Sequence, residues 1–185
     1  MLRKSAVRLV VVGSLLVAVA AVAAIASEDS RAFRVRDDCD AASFNAAIGD
    51  GTCVGDGGTT FTKFINELTQ DHQVGAWRFN PDATGLDRGQ KTILESRAGE
   101  FHTFTRVAKF GGGIVQVLND LSGNPTVAPE CGAINNLAPP TSTNRFVFPG
   151  SAFPGPAAGS TDLPKGTTTW QCCIHPWMRT TITVK

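Results

Sequence analysis

The sequence contains few of the residues from which metal, redox and hydrolytic sites are built. Among 185 residues there are three histidines, five cysteines and two methionines, and tyrosine is absent. An excess of one charge is also missing, because 17 basic residues face 16 acidic ones. Binding to nucleic-acid phosphates requires clustered lysine and arginine, so the charge balance argues against a nucleic-acid partner. With 42% hydrophobic and 18% charged residues, the chain is too apolar for a disordered protein and predicts one domain of moderate size.

One long hydrophobic run is present, at the start of the chain. Arg3, Lys4 and Arg8 precede an apolar stretch that ends in Ala24-Ile25-Ala26. This pattern predicts a secretory signal peptide over residues 1–26, cleaved after Ala26, with an uncleaved membrane anchor as the alternative. We therefore expect a periplasmic or secreted protein that is not stably inserted in the membrane after cleavage. Cleavage removes three basic residues and no acidic ones, which leaves 14 against 16, a net charge of −2.

The next part of the chain predicts an N-terminal arm and two helices. Residues 27–38 are charged and indicate a loose arm. A short helix is predicted over residues 41–48, capped by Asp40 and ended by Gly49. A second helix is predicted over residues 60–70, where four apolar residues recur at helical spacing. Together, residues 27–70 predict an N-terminal arm with a helical extension.

The remaining residues, 71–185, predict an all-β domain. Apolar and polar residues alternate in short segments that are separated by glycine and proline turns. Strands are predicted over residues 77–79, 91–96, 101–105, 145–148, 167–172 and 180–184, with a turn at 85–89 and long loops over most of 119–166. Many short strands with such turns are typical of a β-sandwich or Greek-key barrel.

A thiol, an imidazole and a thioether lie within seven residues near the end of the chain. Cys172, His175 and Met178 have the spacing Cys-x2-His-x2-Met. A thiolate, two imidazoles and a weak axial thioether are the ligands of copper electron-transfer sites, whereas a thioether disfavours zinc. We favour His102 as the second imidazole because it begins a predicted strand. His72 lies in a polar junction after the second helix, where a histidine is more often solvated.

The same segment resembles a known family. Trp170-x-Cys172-x2-His175-Pro176-Trp177-Met178-Arg179, followed by a strand rich in isoleucine and valine, is similar to the ligand loop of the type 1 (blue) copper proteins of the cupredoxin family, plastocyanin- and amicyanin-like. Residues 77–81 and 99–105 resemble the strands that lead to the first histidine ligand of that family. The likeness is close over 73–110 and 165–185, loose over 119–164 and absent over 27–70.

The resemblance implies a cupredoxin-like Greek-key β-sandwich over residues 71–185 that holds one type 1 copper per chain. It implies that His102, Cys172 and His175 are equatorial ligands and that Met178 is the axial ligand. The residue after the first histidine is usually asparagine in this family, where its hydrogen bond steadies the site. Here it is Thr103, whose hydroxyl can supply part of that hydrogen bonding.

Two adjacent cysteines raise the question of which one binds the metal. Cys172 has the family spacing to His175, and strand alternation places it on the same face as Trp170. Four other cysteines remain, and they allow three pairings. We favour Cys39–Cys53, which are nearest in sequence, and the second bridge is then Cys131–Cys173.

These features lead us to expect a monomeric carrier of single electrons and not an enzyme, because no Ser-His-Asp set or carboxylate pair remains for catalysis. We expect His175 at an edge of the sandwich and protein redox partners that dock briefly near His175 and Trp177. Two alternatives stay open. One is a copper-binding or copper-delivery protein of the same fold, and the other is a protein-binding module that uses residues 39–70 as its contact.

Overall fold

The computed structural model describes residues 30–132, 146–147, 163 and 165–185. The predicted signal peptide and most of the predicted loops over 119–166 lie outside these residues. Within them, none of the helices has the length and hydrophobicity of a transmembrane span. In chain order the elements are β1 (Ser30–Arg36), α1 (Ala41–Ile48), α2 (Phe61–Asp71), β2 (Arg78–Asn80), β3 (Ala83–Leu86), β4 (Lys91–Arg97), β5 (His102–Thr103), β6 (Thr105–Val107), α3 (Gln116–Leu121), α4 (Pro129–Gly132), β7 (Phe146–Val147), β8 (Gly166–Gln171) and β9 (Arg179–Val184).

The fold is mostly β, with two mixed sheets and a short parallel pair. The first sheet has the order β2-β1-β4, in which β1 is antiparallel to β2 and parallel to β4. The second has the order β3-β9-β8-β6, in which only the β3–β9 pair is parallel. Strands β5 and β7 form the parallel pair, which places His102 beside Phe146.

The expectation of a loose arm is wrong for Ser30–Arg36. This segment is the central strand of the first sheet. Phe33 and Val35 are buried, whereas Arg34 and Arg36 between and after them are exposed, so the strand alternates as a half-buried strand should. The turn predicted at 85–89 is also partly wrong, because Ala83–Leu86 is a strand that pairs with β9.

Both predicted helices are confirmed. Helix α1 begins after Asp40, whose side chain accepts a hydrogen bond from the Ser43 amide, and it ends at Gly49. The φ angle of Gly49 is +140°, which an L side chain rarely adopts, so glycine suits this position. Helix α2 begins after Thr60, whose hydroxyl accepts from the Lys63 amide. Within the described part of the predicted loops of 119–166, the structure has the end of α3 and the short helix α4.

Helix α2 packs into the core of the protein. The ring of Phe64 lies 4.8 Å from that of Trp77 and 5.9 Å from that of Trp177. The ring of Phe44 in α1 stacks on Trp77 at 5.7 Å. The helical extension therefore covers the side of the molecule from which the loop between β8 and β9 projects.

Both favoured disulfides are present. Cys39 pairs with Cys53, which fixes the ends of the segment around α1. Cys131 pairs with Cys173 and ties α4 to the residue that follows the predicted copper ligand. Cys172 is the free cysteine of the described part of the chain, and it is buried.

Candidate metal centre

Three of the four predicted ligand residues converge in the interior. The possible ligand atoms of His102, Cys172 and His175 all lie within 4.8 Å of one another. The Cys172 Sγ atom lies 3.9 Å from Nδ1 of His102 and 3.8 Å from Nδ1 of His175. The side chains of Cys172 and His102 are fully buried, and His175 is 3% exposed. Both imidazoles thus direct the same ring nitrogen at one sulfur atom.

Strand pairing and backbone hydrogen bonds build the loop that carries two of these residues. The antiparallel pair β8–β9 ends with Gln171 opposite Arg179. Beyond it, the Cys172 amide donates to the Met178 carbonyl at 3.0 Å, and the Met178 amide donates to the His175 carbonyl at 2.9 Å. Met178, the fourth predicted ligand, is 1% exposed and belongs to this closed loop.

Three backbone amides surround the sulfur of Cys172. The amides of Thr103, Ile174 and His175 donate to Sγ at 3.4, 3.4 and 3.5 Å. Burial raises the pKa of the Cys172 thiol, but the hydrogen bonds from His102 and His175 outweigh it and hold the pKa well below its usual value. The site therefore favours the thiolate, which is the form of cysteine that binds metals.

Thr103 contributes to the site in two ways. Its amide donates to the Cys172 sulfur, and its hydroxyl accepts a hydrogen bond of 2.7 Å from the Cys173 amide. The hydroxyl of Thr105 donates to the same oxygen at 3.2 Å. The threonine hydroxyl thus steadies the backbone beside the sulfur, while the direct contact to the sulfur comes from the main chain.

The outer nitrogen of His102 is held by Asp37, which the sequence placed in a loose arm. His102 Nε2 lies 2.8 Å from Asp37 Oδ2, and the amides of Gly99 and Glu100 donate to the same carboxylate at 2.8 Å each. Burial raises the pKa of Asp37, but the hydrogen bond from His102 and these amides outweigh it and bring the pKa to about 2. Burial lowers the pKa of His102, but its hydrogen bonds to Asp37 and Cys172 raise it to about 10. Asp37 thereby fixes Nε2 as a donor and leaves Nδ1 directed at the sulfur.

A second buried carboxylate lies beside His175. Glu100 Oε2 is 3.6 Å from His175 Nε2 and accepts a hydrogen bond of 2.5 Å from the indole N–H of Trp77. Burial raises the pKa of Glu100. Each of the two imidazoles thus has a carboxyl group behind the nitrogen that faces away from Cys172.

Aromatic rings cover His175. The rings of Trp177 and Phe64 lie 5.4 and 6.4 Å from its ring, both in edge-on orientation. The side chain of His175 is 3% exposed, so these rings separate most of it from solvent. A hollow of about 300 Å³, lined in part by Thr52 and Ile174, reaches it from the surface.

His72 lies outside this group. It is exposed, ends α2 in a left-handed conformation, and its Nδ1 is 2.8 Å from the Leu121 carbonyl.

The sequence prediction of the site did not include Asp37 and Glu100. Glu100 precedes His102 by two residues, so a search for carboxylates near the histidines would have found it. Asp37 carries no local signal, because strand pairing brings it to His102 across 65 residues of sequence.

Comparison with known proteins gives one structural likeness. No family model and no curated protein matches the chain. Among solved structures, a mutant plastocyanin of a fern, determined in oxidized and reduced forms, matches with 16% sequence identity and a TM-score of 0.37. The match covers 84% of this chain and 100% of the fern protein. A TM-score this low does not establish a common fold, so the function is inferred from the site itself.

Proposed function

We propose that this protein is an extracytoplasmic blue copper protein of the cupredoxin family that carries single electrons between redox partners. The observation that carries the proposal is the convergence of two imidazole Nδ1 atoms on the buried sulfur of Cys172, at 3.9 and 3.8 Å. Copper bound there would supply a one-electron couple between Cu(I) and Cu(II). The proposal includes a Greek-key arrangement of the sheets.

The donor set fits copper. One thiolate and two imidazoles combine a soft ligand with two ligands that suit both oxidation states, and a weak thioether is the usual axial partner. His102, Cys172, His175 and Met178 would hold the copper, and Met178 would contribute the thioether. The disulfides support Cys172 as the thiolate ligand. Cys173 is joined to Cys131, so Cys172 is the cysteine that is free to bind a metal.

The surroundings of the site favour fast electron exchange. A carrier reacts quickly when its ligands move little between oxidation states, and here the ligands are restrained on several sides. Asp37 holds His102, three amides hold the Cys172 sulfur, and the Cys131–Cys173 disulfide anchors the neighbouring residue. Restraints of this kind on the groups behind metal ligands orient the ligands and tune the metal.

The same burial argues against copper delivery. A delivery protein passes its ion to another protein by exchanging ligands, so at least one ligand must be accessible to the acceptor. His102 and Cys172 are fully buried and His175 is 3% exposed. These values favour a protein that retains its copper ion. We therefore propose an electron carrier and not an enzyme.

We propose that redox partners dock briefly on a monomer near His175 and Trp177. A hollow lined by Thr52 and Ile174 leads to the His175 ring. Trp177 is half-buried and lines a larger hollow of about 620 Å³ beside Met178. A partner at these hollows would lie beside His175 and Met178, which line them.

Cyclic voltammetry of the copper-loaded protein tests the carrier function. We expect a reversible one-electron wave and rapid electron exchange between reduced and oxidised protein. Transfer of Cu(I) to a copper-free acceptor protein, with no reversible wave, would contradict the proposal and support delivery.

A further inference from the structure

Three arginines lie side by side on the outer face of the first sheet. In the register of this sheet, Arg36 of β1 is opposite Arg78 of β2 and opposite Arg97 of β4. All three side chains are exposed, while Val35 and Phe79, which precede Arg36 and follow Arg78, are buried. Residues directly opposite each other point to the same face, so the row Arg78–Arg36–Arg97 crosses the sheet at strand spacings of about 4.8 Å. We call these three residues the arginine row.

The charges of the arginine row are mostly not neutralised. Glu95 pairs with Arg34 at 3.0 Å and lies 4.0 Å from Arg97, its more distant partner. Among the described residues, no carboxylate lies within ion-pair distance of Arg36 or Arg78. Like charges directly opposite each other destabilise a sheet. Repulsion within the row therefore lowers the stability of the isolated protein, and a negatively charged ligand would reduce that repulsion.

Two aspartates border the row, and neither forms an ion pair with its arginines. A hollow of about 340 Å³ is lined by Arg36, Asp37, Asp38, Ala76, Arg78 and Arg97. The carboxylate of Asp37 turns inward to His102, and that of Asp38 accepts a hydrogen bond from the Thr59 hydroxyl at 2.8 Å. Asp38 is thus the one exposed negative charge in the lining, against three arginines.

We propose that the arginine row is the docking site for an acidic surface patch of a protein redox partner. Arginine binds carboxylates through two parallel hydrogen bonds, so three arginines in a row can receive several carboxylates of a complementary surface. A small anion would be held by buried donors that converge on one point, whereas these side chains are exposed and spread over three strands. Charge complementarity of this kind speeds the encounter of two proteins and orients them.

The position of the row relative to the candidate copper ligands explains why a redox partner would bind there; this part rests on the proposed function. Arg36 is followed by Asp37, which hydrogen bonds to His102 at 2.8 Å. Arg78 is preceded by Trp77, whose indole N–H donates to Glu100, beside His175. A partner on the row therefore lies one residue away from the hydrogen-bonded groups behind both imidazoles.

The row also adjoins the surface already proposed for docking. Arg78 lines both the hollow of the arginine row and the larger hollow that contains Trp177. One partner can therefore contact the arginines with its acidic patch and the half-buried tryptophan with a neighbouring apolar surface. The mature chain has a net charge of −2, so this local excess of positive charge stands out against the rest of the protein.

Binding of charged peptides tests the proposal without requiring copper. Fluorescence anisotropy would measure the affinity of a labelled hexaglutamate peptide and of a hexalysine peptide for the protein at low and at high ionic strength. The variants are Arg36→Glu and Arg97→Glu, both at exposed positions. The matched control is Arg88→Glu, which makes the same charge change at an exposed turn outside the row.

We expect hexaglutamate to bind and hexalysine not to bind, with an affinity that falls as salt increases. Each row variant should weaken hexaglutamate binding about fivefold or more at low salt, while the control changes it little. Equal effects of all three substitutions would overturn the proposal, since binding would then follow net charge alone. Displacement of the peptide by stoichiometric inorganic phosphate would also overturn it, in favour of a small-anion site. Copper spectra are recorded separately, so a failure of the copper assignment is distinguishable from a failure of this docking site.

Discussion

Replacement of Asp37 by asparagine tests how the interior of the site is held together. The Asp37 carboxylate is 2% exposed and accepts hydrogen bonds of 2.8 Å from His102 Nε2 and from the amides of Gly99 and Glu100. Asparagine has nearly the same shape, but it carries no charge and offers one acceptor oxygen in place of two. The substitution therefore removes the charge and part of the hydrogen bonding while leaving the packing almost unchanged.

The pKa of Asp37 sets the size of the effect. It is about 2 in the folded protein against an ordinary value of 3.8, because the hydrogen bond from His102 and those from the amides outweigh the opposing effect of burial. Since one unit of pKa corresponds to about 1.4 kcal/mol, the ionised carboxylate stabilises the fold by about 2 kcal/mol at neutral pH. The pKa is lowered on folding, so this contribution is fully present above pH 4 or so and is lost as the pH falls toward 2.

Urea denaturation of the copper-free protein at neutral pH measures this contribution. We expect Asp37→Asn to reduce the free energy of unfolding by about 2 kcal/mol. The exposed Asp82→Asn serves as a control and should change it by less than about 0.5 kcal/mol. Repeating the measurement at acidic pH should narrow the gap between wild type and Asp37→Asn as the pH approaches 2. An Asp37→Asn protein as stable as wild type at neutral pH would refute the view that this carboxylate is ionised and bonded to His102.

Three further variants test other parts of the account. Met178→Gln should keep the copper and lower its midpoint potential in voltammetry, because the axial ligand tunes the potential; an unchanged potential would mean that Met178 is not a ligand. Removal of the Cys39–Cys53 bridge by a double change to serine should cost about 3 kcal/mol in urea denaturation, as expected for a loop of 14 residues, and should leave the copper spectrum unchanged. Phe64→Ala should cost about 3 kcal/mol or more, because this buried ring packs against Trp77 and Trp177, and should speed the reaction of the copper with small external ligands by uncovering His175. A Phe64→Ala protein with unchanged access to the copper would show that α2 does not shield the site.

Local signals in the sequence were sufficient for helices α1 and α2, for most of the strands and for the residues of the loop between β8 and β9, but not for α3 and α4. Helix capping by Asp40 and Thr60 involves residues only three positions apart, and the apolar spacing of α2 is equally local. Such patterns can be recognised without knowledge of the fold. Cys172 and His175 are only three residues apart, so their side chains must lie close together in one loop.

Contacts between distant segments explain what the sequence did not reveal. Strand β1 contains three arginines in seven residues, and it becomes a central strand only because β2 and β4 supply partners from later in the chain. Asp37 at its end then reaches His102. In the same way, Ala83–Leu86 contains Gly85 and has the composition of a turn, but the parallel partner β9 makes it a strand. The burial of His175 also depends on such a contact, because Phe64 comes from the helical extension.

The absorption and EPR spectra of the copper-loaded mature protein, recorded beside those of Cys172→Ala, test the central claim most directly. We expect an intense visible band from charge transfer between the Cys172 thiolate and Cu(II), with the small copper hyperfine splitting of a blue site, and we expect both to be absent in Cys172→Ala. A colourless wild-type protein after copper addition, or a blue band that survives in Cys172→Ala, would contradict the assignment of this site.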